Sequence, residues 1–488
     1  MKTGRIKTIP LGVVIAIVLA MGAATTTGVT TAWAAGAAPE TEIHELRARL
    51  EKLEARHNET MRLADIKRTA DQVLQDANQH SQLMEVGSFN AGYKNGKFFI
   101  GSEDGNFNLR PWAYFQFRNI TNRRQGFKNG NDDTQNGFEM RRAKFGFEGN
   151  AFSPDLTYMF SYGTTRASGT ANVTNAAGVK IGTVTNSLGG VPIADEAWVK
   201  YRINHGDFYM KAGQIKGPIM HEQMVSSRTQ LAAERSVAAD VFVNGDTYLQ
   251  AVDISYEPQT WIRLEGAITH GMRSLNTNFL DFPNSNAFNY GFEARADFKV
   301  MGQWADYQRQ MGAFGVKEQL LAFGIGADYS ERGHSNQIVA AVDVTYVHPK
   351  GLSLYGAFID RYTNHNFGFY SPSTTSASIT APPASVLNHA TNEYAIVAQA
   401  AYLLDGHIEP FARFEYQKLQ GTATGSRNYL PVITTGANYY LNGHNIKLTA
   451  QVLYLPSGIP VDDASNDILA SPAGRGELVG TMQLQFGF

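Results

Sequence analysis

From Asn106 to the last residue, apolar and polar side chains alternate with period two, the spacing of strands whose two faces meet different surroundings. In the first such segment Phe107, Leu109, Ala113, Phe115 and Phe117 share one face, and Asn108, Arg110, Tyr114, Gln116 and Arg118 share the other. The last segment repeats this, with Leu478, Met482, Leu484, Phe486 and Phe488 alternating with Val479, Thr481, Gln483, Gln485 and Gly487. Segments of the same kind fall near 106–121, 138–151, 154–166, 192–204, 207–219, 249–257, 262–274 and 289–302. They continue near 317–332, 335–349, 351–364, 391–406, 407–420, 429–443, 444–456 and 477–488. The total is even, as a bacterial outer-membrane barrel with both termini on one side requires. The predicted fold is all-β: a sixteen-stranded antiparallel transmembrane β-barrel over residues 106–488, preceded by a short α-helical coiled-coil segment.

Connection lengths test this independently, because such barrels have short periplasmic turns and long outer loops. Short links fall at Ser153-Pro154-Asp155, Asn204-His205-Gly206-Asp207, Glu257-Pro258-Gln259, His348-Pro349-Lys350-Gly351, Asp405-Gly406-His407 and Asn442-Gly443-His444. Long polar links separate them near 121–138, 166–192, 219–249, 274–289, 364–391 and 456–477. Two links break the rule: 302–317 is long where a short one is expected, and Glu331 to Ser335 is short where a long one is expected. Aromatic residues also recur at the periplasmic ends of descending strands, on the apolar face. Phe147, Tyr201, Tyr256, Phe298, Tyr346, Tyr402, Tyr439 and Phe488 predict a girdle at the membrane–water boundary.

Upstream of the barrel the period is helical. Ile43, Leu46, Leu50, Leu53 and His57 follow 3–4 spacing, and Leu63, Ile66, Ala70, Val73 and Ala77 resume it one residue out of register. Residues 35–80 are therefore expected to form a periplasmic, self-associating helix, a lone amphipathic helix being the alternative; 81–105 form the linker into the barrel. Residues 1–34 read as a secretory signal, with basic Lys2, Arg5 and Lys7, an apolar run from Leu11 to Ala24 and an A-x-A site at Ala32-Trp33-Ala34. A retained anchor helix is disfavoured by the shortness of that run.

Composition narrows the classes. With no cysteine among 488 residues, disulfides, thiolate metal sites, cysteine nucleophiles and a lipidated N-terminal cysteine are excluded. Lys+Arg number 42 against 44 for Asp+Glu, so no overall basic field exists to hold nucleic acid. The 47 glycines, 22 tyrosines and 28 phenylalanines fit strands and turns. A mean hydropathy of -0.26 does not argue against a membrane protein, since lipid-facing and lumen-facing residues cancel in any window.

Several motifs sit within this frame. The run Phe138-Glu139-Met140-Arg141-Arg142-Ala143-Lys144-Phe145-Gly146-Phe147-Glu148-Gly149 resembles the Arg-Arg-Ala-basic strand of the phosphate-selective porin O and P family. Asp195-Glu196-Ala197-Trp198-Val199-Lys200-Tyr201 and Ala212-Gly213-Gln214-Ile215-Lys216-Gly217-Pro218-Ile219 are similar to two further stretches of it. Ser226-Ser227-Arg228 and Glu234-Arg235-Ser236 stand where that family carries its inward-folding third loop. The resemblance is specific over about 138–250 and weaker, but collinear, to the final strand. It implies a homotrimer of sixteen-stranded outer-membrane barrels, each pore narrowed by the third loop. It also implies that Phe488 is a membrane-insertion signal read by barrel-assembly machinery.

Alternation places Arg110, Arg118, Arg142, Lys144, Lys200, Arg202 and Lys211 on the lumen face, because Arg or Lys on the lipid face at mid-membrane costs roughly 2–4 kcal/mol. This basic wall reads either as weak selection for small anions or as ordinary cross-strand pairing. Glu196, Asp253, Glu265, Glu293, Asp297, Glu393 and Glu415 face inward too, with Arg263, Arg295, Lys299 and Arg413 among them. The third-loop constriction is expected to carry Arg228 and Arg235 against Glu222, Glu234, Asp240 and Asp246, a departure from a concentrated phosphate filter.

No other chemistry survives scrutiny. His221-Glu222 lacks the second histidine of a zinc-protease motif, having Val225 in its place, and Gly324 and Gly326 lie in a strand pattern without dinucleotide-binding context. Asp462, Asp463 and Asp467 do not match a calcium loop and read as a solvated acidic loop. No catalytic residue, cofactor or metal is expected. The reading is a channel in the outer membrane of a Gram-negative-type bacterium for passive diffusion of ions and small hydrophilic solutes. Its rivals are a structural barrel tied to the cell wall through its helix and a rim-active barrel hydrolase.

Overall fold

The computed structural model describes residues 44–54, 67–69, 71–72, 89–94, 97–125, 133–164, 168–174, 180–187, 192–243, 248–272, 290–309, 311–332, 335–364, 390–420, 429–458, 466–469 and 475–488. The chain divides into two units, Met1–Leu83 and Met84–Phe488. In the first, residues 44–54, 67–69 and 71–72 are helical. Leu46, Leu50 and Leu53 form an exposed stripe there, each at least 60% accessible. The signal segment and the seam positions Ile43, His57, Leu63, Ile66, Ala70, Val73 and Ala77 lie outside the described residues.

The second unit begins with a hairpin, β1 (Phe89–Lys94) and β2 (Lys97–Ser102), in the stretch read from sequence as linker. The wall follows as β3 (Asn108–Arg124), β4 (Thr134–Ala151) and β5 (Ser153–Thr164). A separate hairpin, β6 (Ser168–Thr174) and β7 (Lys180–Ser187), interrupts it. The wall resumes with β8 (Pro192–Arg202), β9 (Phe208–Lys216), β10 (Tyr248–Tyr256), β11 (Ile262–Thr269), β12 (Tyr290–Met301), β13 (Leu320–Arg332) and β14 (Ser335–Val347). It ends with β15 (Leu352–Thr363), β16 (Thr391–Tyr402), β17 (Ile408–Lys418), β18 (Tyr429–Asn442), β19 (Ile446–Leu455) and β20 (Glu477–Gly487).

Apart from the two hairpins, sixteen strands pair antiparallel with their neighbours in sequence. The ring closes where β20 meets β3, with Phe486 opposite Phe115 and Thr481 opposite Ile120. Closure leaves no edge whose N–H and C=O groups would face hydrocarbon unpaired.

The outer face is apolar because one parity of every strand is apolar. In β20 and just after it, Leu478, Met482, Leu484, Phe486 and the terminal Phe488 are exposed, whereas Val479, Thr481, Gln483 and Gln485 are buried inside. The girdle residues Phe147, Tyr201, Tyr402, Tyr439 and Phe488 are likewise exposed at the strand ends. Phe208 against Tyr256 and Trp261 against Phe298 extend it, with ring centroids 4.8 and 6.0 Å apart.

Turns at one rim use left-handed backbone at Asn204, His205, Asp405, Gly406 and Gly443. The Glu331 to Ser335 link is a tight hairpin, Arg332 pairing with Ser335. The long connection after β12 carries a helix, Trp304–Arg309. Within the wall Gly213 has φ +132, and a Cβ there would lie 2.1 Å from Ala197 O. Only glycine lets β9 run so close to β8.

Candidate functional site

The third loop, between β9 and β10, folds into the barrel and is buried there. Its helix Val237–Val243 reads Val-Ala-Ala-Asp-Val-Phe-Val and is buried on all sides. Ser236 caps it, its Oγ accepting from Ala239 N at 3.1 Å. The Glu415 carboxylate of β17 takes Ala238 N at 2.9 Å. Near the other end Arg361 of β15 donates to Val241 O at 2.6 Å, so charges of the favourable sign meet both ends of a short helix.

Wall side chains hold the rest of the loop by its backbone. Asn438 donates to Leu231 O at 2.9 Å, Lys447 to Gln230 O at 2.8 Å, and the Gln451 amide oxygen accepts from Ala233 N at 2.9 Å. At the loop's entry, Arg295 pairs with Asp343 at 2.9 Å and donates to Ile219 O at 2.8 Å. Gly326 makes room for that entry, since a Cβ would stand 2.0 Å from Ile219 O.

Loop and wall together form an apolar core inside the lumen. Val339, Ile359, Val397, Val432, Leu453 and Val479 all point inward and pack with Leu231, Val237, Val241 and Phe242. The sector from β12 through β20 to β3 is therefore dry. The sector from β4 to β11 is not: Lys144, Lys200, Lys211, Glu257 and Glu265 keep 13, 21, 17, 22 and 18% of their side-chain surface.

This division sorts the seven basic wall residues. Arg118 of β3 and Arg142 of β4 are both buried where the two sectors meet, and they converge with Arg141 on one loop carboxylate. Glu234 accepts from Arg118 Nη2 at 2.7 Å, Arg141 Nε at 2.6 Å and Arg142 Nη2 at 2.7 Å. Arg118 also meets Glu139 at 2.6 Å and Asp467 at 3.0 Å. Asp467 thus pairs inside, whereas Asp462, Asp463 and Asp246 lie outside the described residues.

In the open sector Lys144 pairs with Asp195 at 2.7 Å, Lys200 with Glu257 at 2.5 Å, and Lys211 with Glu265 at 2.9 Å and Asp253 at 3.7 Å. Arg202 donates to Gly206 O at 2.6 Å, and Lys299 to Gly302 O at 2.9 Å. Arg263 lies 4.5 Å from the Trp304 ring centre. Among the described residues Arg110, Arg202, Arg263 and Lys299 have no carboxylate within ion-pair distance. All four sit at the ends of β3, β8, β11 and β12 on the rim that carries the short turns.

The two loop arginines differ from one another. Arg228 is partly exposed and donates to the Asn445 side chain. Arg235 is 3% exposed, and its guanidinium donates to Glu222 O at 3.0 Å, Gln223 O at 3.3 Å and Val225 O at 2.9 Å. It braces its own loop. Glu222 accepts from Ser236 N at 2.8 Å and Oγ at 2.6 Å, closing the same fold, so this His221-Glu222 pair is occupied in structure.

A profile of the family described as phosphate-selective porin O and P matches residues 113–457, well over half of the chain and most of the barrel. The chain belongs to that family. It is an outer-membrane porin, a channel-forming class. No curated protein matches it in sequence. Among solved structures, an anion-selective porin from Comamonas acidovorans is similar at 9% identity and a TM-score of 0.51, over 78% of this chain and 99% of that one. Salmonella typhi OmpF, solved with daunomycin, aligns at 16% identity and a TM-score of 0.47, over 78% and 98%. The DcaP channel of Acinetobacter baumannii aligns at 9% and 0.46, over 80% and 99%. At such identities the likeness speaks to the fold of this porin alone.

Proposed function

We propose that this porin lets ions and small hydrophilic solutes diffuse passively along the open sector, with a weak preference for anions. The observation that carries the preference is the set of four cations, Arg110, Arg202, Arg263 and Lys299, at the periplasmic mouth, none of which has a carboxylate within ion-pair distance among the described residues. Fixed charge at a narrow, partly desolvated mouth raises the local concentration of counter-ions. Deeper in, each lysine is paired, so the wall there contributes little net field.

Strong phosphate selection is not part of the proposal. Arg118, Arg141 and Arg142 form the densest basic group, and Glu234 already supplies the oxygens that an anion would bring. The functional unit we propose is a homotrimer in outer-membrane lipid, inserted by barrel-assembly machinery reading Phe488, with the helical segment in the periplasm. The exposed Leu46, Leu50 and Leu53 stripe supports self-association of that segment. Reversal potentials of the purified oligomer in a planar bilayer under a potassium chloride gradient test the reading. A modest anion preference is expected. Cation preference overturns the selectivity, and absence of conductance overturns the channel.

A further inference from the structure

The connection between β12 and β13, residues 302–319, lies on the rim where neighbouring links are tight turns. It carries Trp304, Tyr307, Met311, Ala313 and Val316, all buried. A connection hanging in water would expose them. Its partners are inward-facing groups of the wall. Tyr307 Oη accepts from Arg295 Nη2 and donates to Asp297 Oδ1, both at 2.9 Å. Ala313 N donates to Glu409 Oε1 of β17 at 2.9 Å, and the Phe314 ring stands 4.6 Å from that of Tyr440 on β18. The segment therefore leaves the wall at β12, passes under the lumen and reaches β17 and β18, about a third of the way around a sixteen-stranded ring.

It also touches the third loop from below. Met311 N donates to Thr229 O at 3.3 Å, and Tyr307 stacks on His221 with centroids 4.1 Å apart and planes within 10°. Gly312 is packed against wall and loop alike: a Cβ there would fall 2.8 Å from the Glu409 carboxylate and 2.9 Å from Leu231, so any side chain would have to push both aside.

We propose that the connection between β12 and β13, through its described residues 302–309 and 311–319, is a second, periplasmic constriction element. Together with the third loop this strap sets the solute size limit, because it closes the mouth beneath the packed sector and leaves only the open sector as a path. Arg263 and Lys299, both partly exposed, lie over the buried Trp304 ring at 4.5 and 5.4 Å and form the strap's border with that path. The inference rests on the channel reading above.

The test is bilayer conductance and liposome swelling of the full chain with residues 303–318 replaced by a short Gly-Ser link. Native protein that does not conduct defeats the channel reading itself. If native protein conducts, the shortened variant should show single-channel conductance roughly two-fold higher or more, and faster swelling with larger sugars, as a wider mouth requires. Unchanged conductance and size limit in a folded variant overturn the strap. Should that variant fail to fold, Gln308→Cys keeps the proposal testable, since Gln308 is exposed on the strap's helix and the native chain has no cysteine. Attaching a bulky thiosulfonate reagent to it should lower the current about two-fold or more, as obstruction of a narrow mouth requires. Complete labelling with no change in current overturns the proposal.

Discussion

Two sectors of one wall obey the same alternation and do opposite things. Along β12 to β20 and β3, inward side chains are packed like the interior of a soluble protein: Arg295 and Asp343 retain 1 and 0% of their side-chain surface, Arg413 and Glu415 1 and 0%. Along β4 to β11 the lysine pairs keep more of theirs, from 13 and 11% at Lys144 and Asp195 to 21 and 22% at Lys200 and Glu257. Inward parity therefore fixes which side of the wall a residue faces, but not whether it meets water. What decides that is the third loop, and it is placed by charges the wall holds out to its backbone.

The largest effect is expected from removing the carboxylate on which three buried arginines converge. Glu234→Ala takes that shared partner away, Arg118 keeping only Glu139 and Asp467, and should cost about 3–5 kcal/mol, as breaking a buried ion pair does. Thermal unfolding in detergent should shift downward accordingly, and current noise should rise as the loop loosens. Glu234→Gln should in addition move the reversal potential toward anions. Native melting and a native reversal potential in both variants would mean that the loop is held by packing alone.

A matched pair sharpens the contrast. Phe242→Ala removes a wholly buried ring from the loop helix and should cost about 3–5 kcal/mol through the cavity it leaves. Lys200→Gln in the open sector breaks a partly hydrated pair and should cost under about 1 kcal/mol. Equal shifts in melting temperature would break the division into packed and open sectors. A smaller effect, on selectivity rather than stability, is expected at Lys211. Lys211→Gln leaves the partly exposed Glu265, and the buried Asp253 behind it, without their shared cation and should shift the permeability ratio toward cations by up to about two-fold.

The wall was legible in sequence because alternation is local: all sixteen segments, both irregular links and the girdle follow from side-chain parity and connection length. The third loop's inward course came from motif resemblance, but its contacts did not, since Glu234 meets Arg118 from far along the chain. One signal was present and unused. Val339, Ile359, Val397, Val432 and Leu453 occupy inward positions that a water-filled lumen would leave polar, and they mark the sector that something apolar covers. The strap offered the same signal in Trp304, Tyr307 and Met311. The β1–β2 hairpin gave none of comparable strength, because its β2 is tied to β3 by only two residue pairs.

The smallest effect on the channel is expected from the helical unit, and for a reason that bears on both sectors. Leu46, Leu50 and Leu53 lie in the unit Met1–Leu83, while every group assigned to loop, strap or mouth lies in the other. Replacing the three leucines by serine removes the apolar stripe that would associate three helices, each exposed leucine being worth up to roughly 1.5–3 kcal/mol when buried. Oligomers should then dissociate at lower temperature on semi-native gels, while single-channel conductance and reversal potential stay native. A changed conductance would place the helix in the solute path and make the open sector only part of it; unchanged oligomer stability would leave barrel-to-barrel contact as the whole basis of assembly.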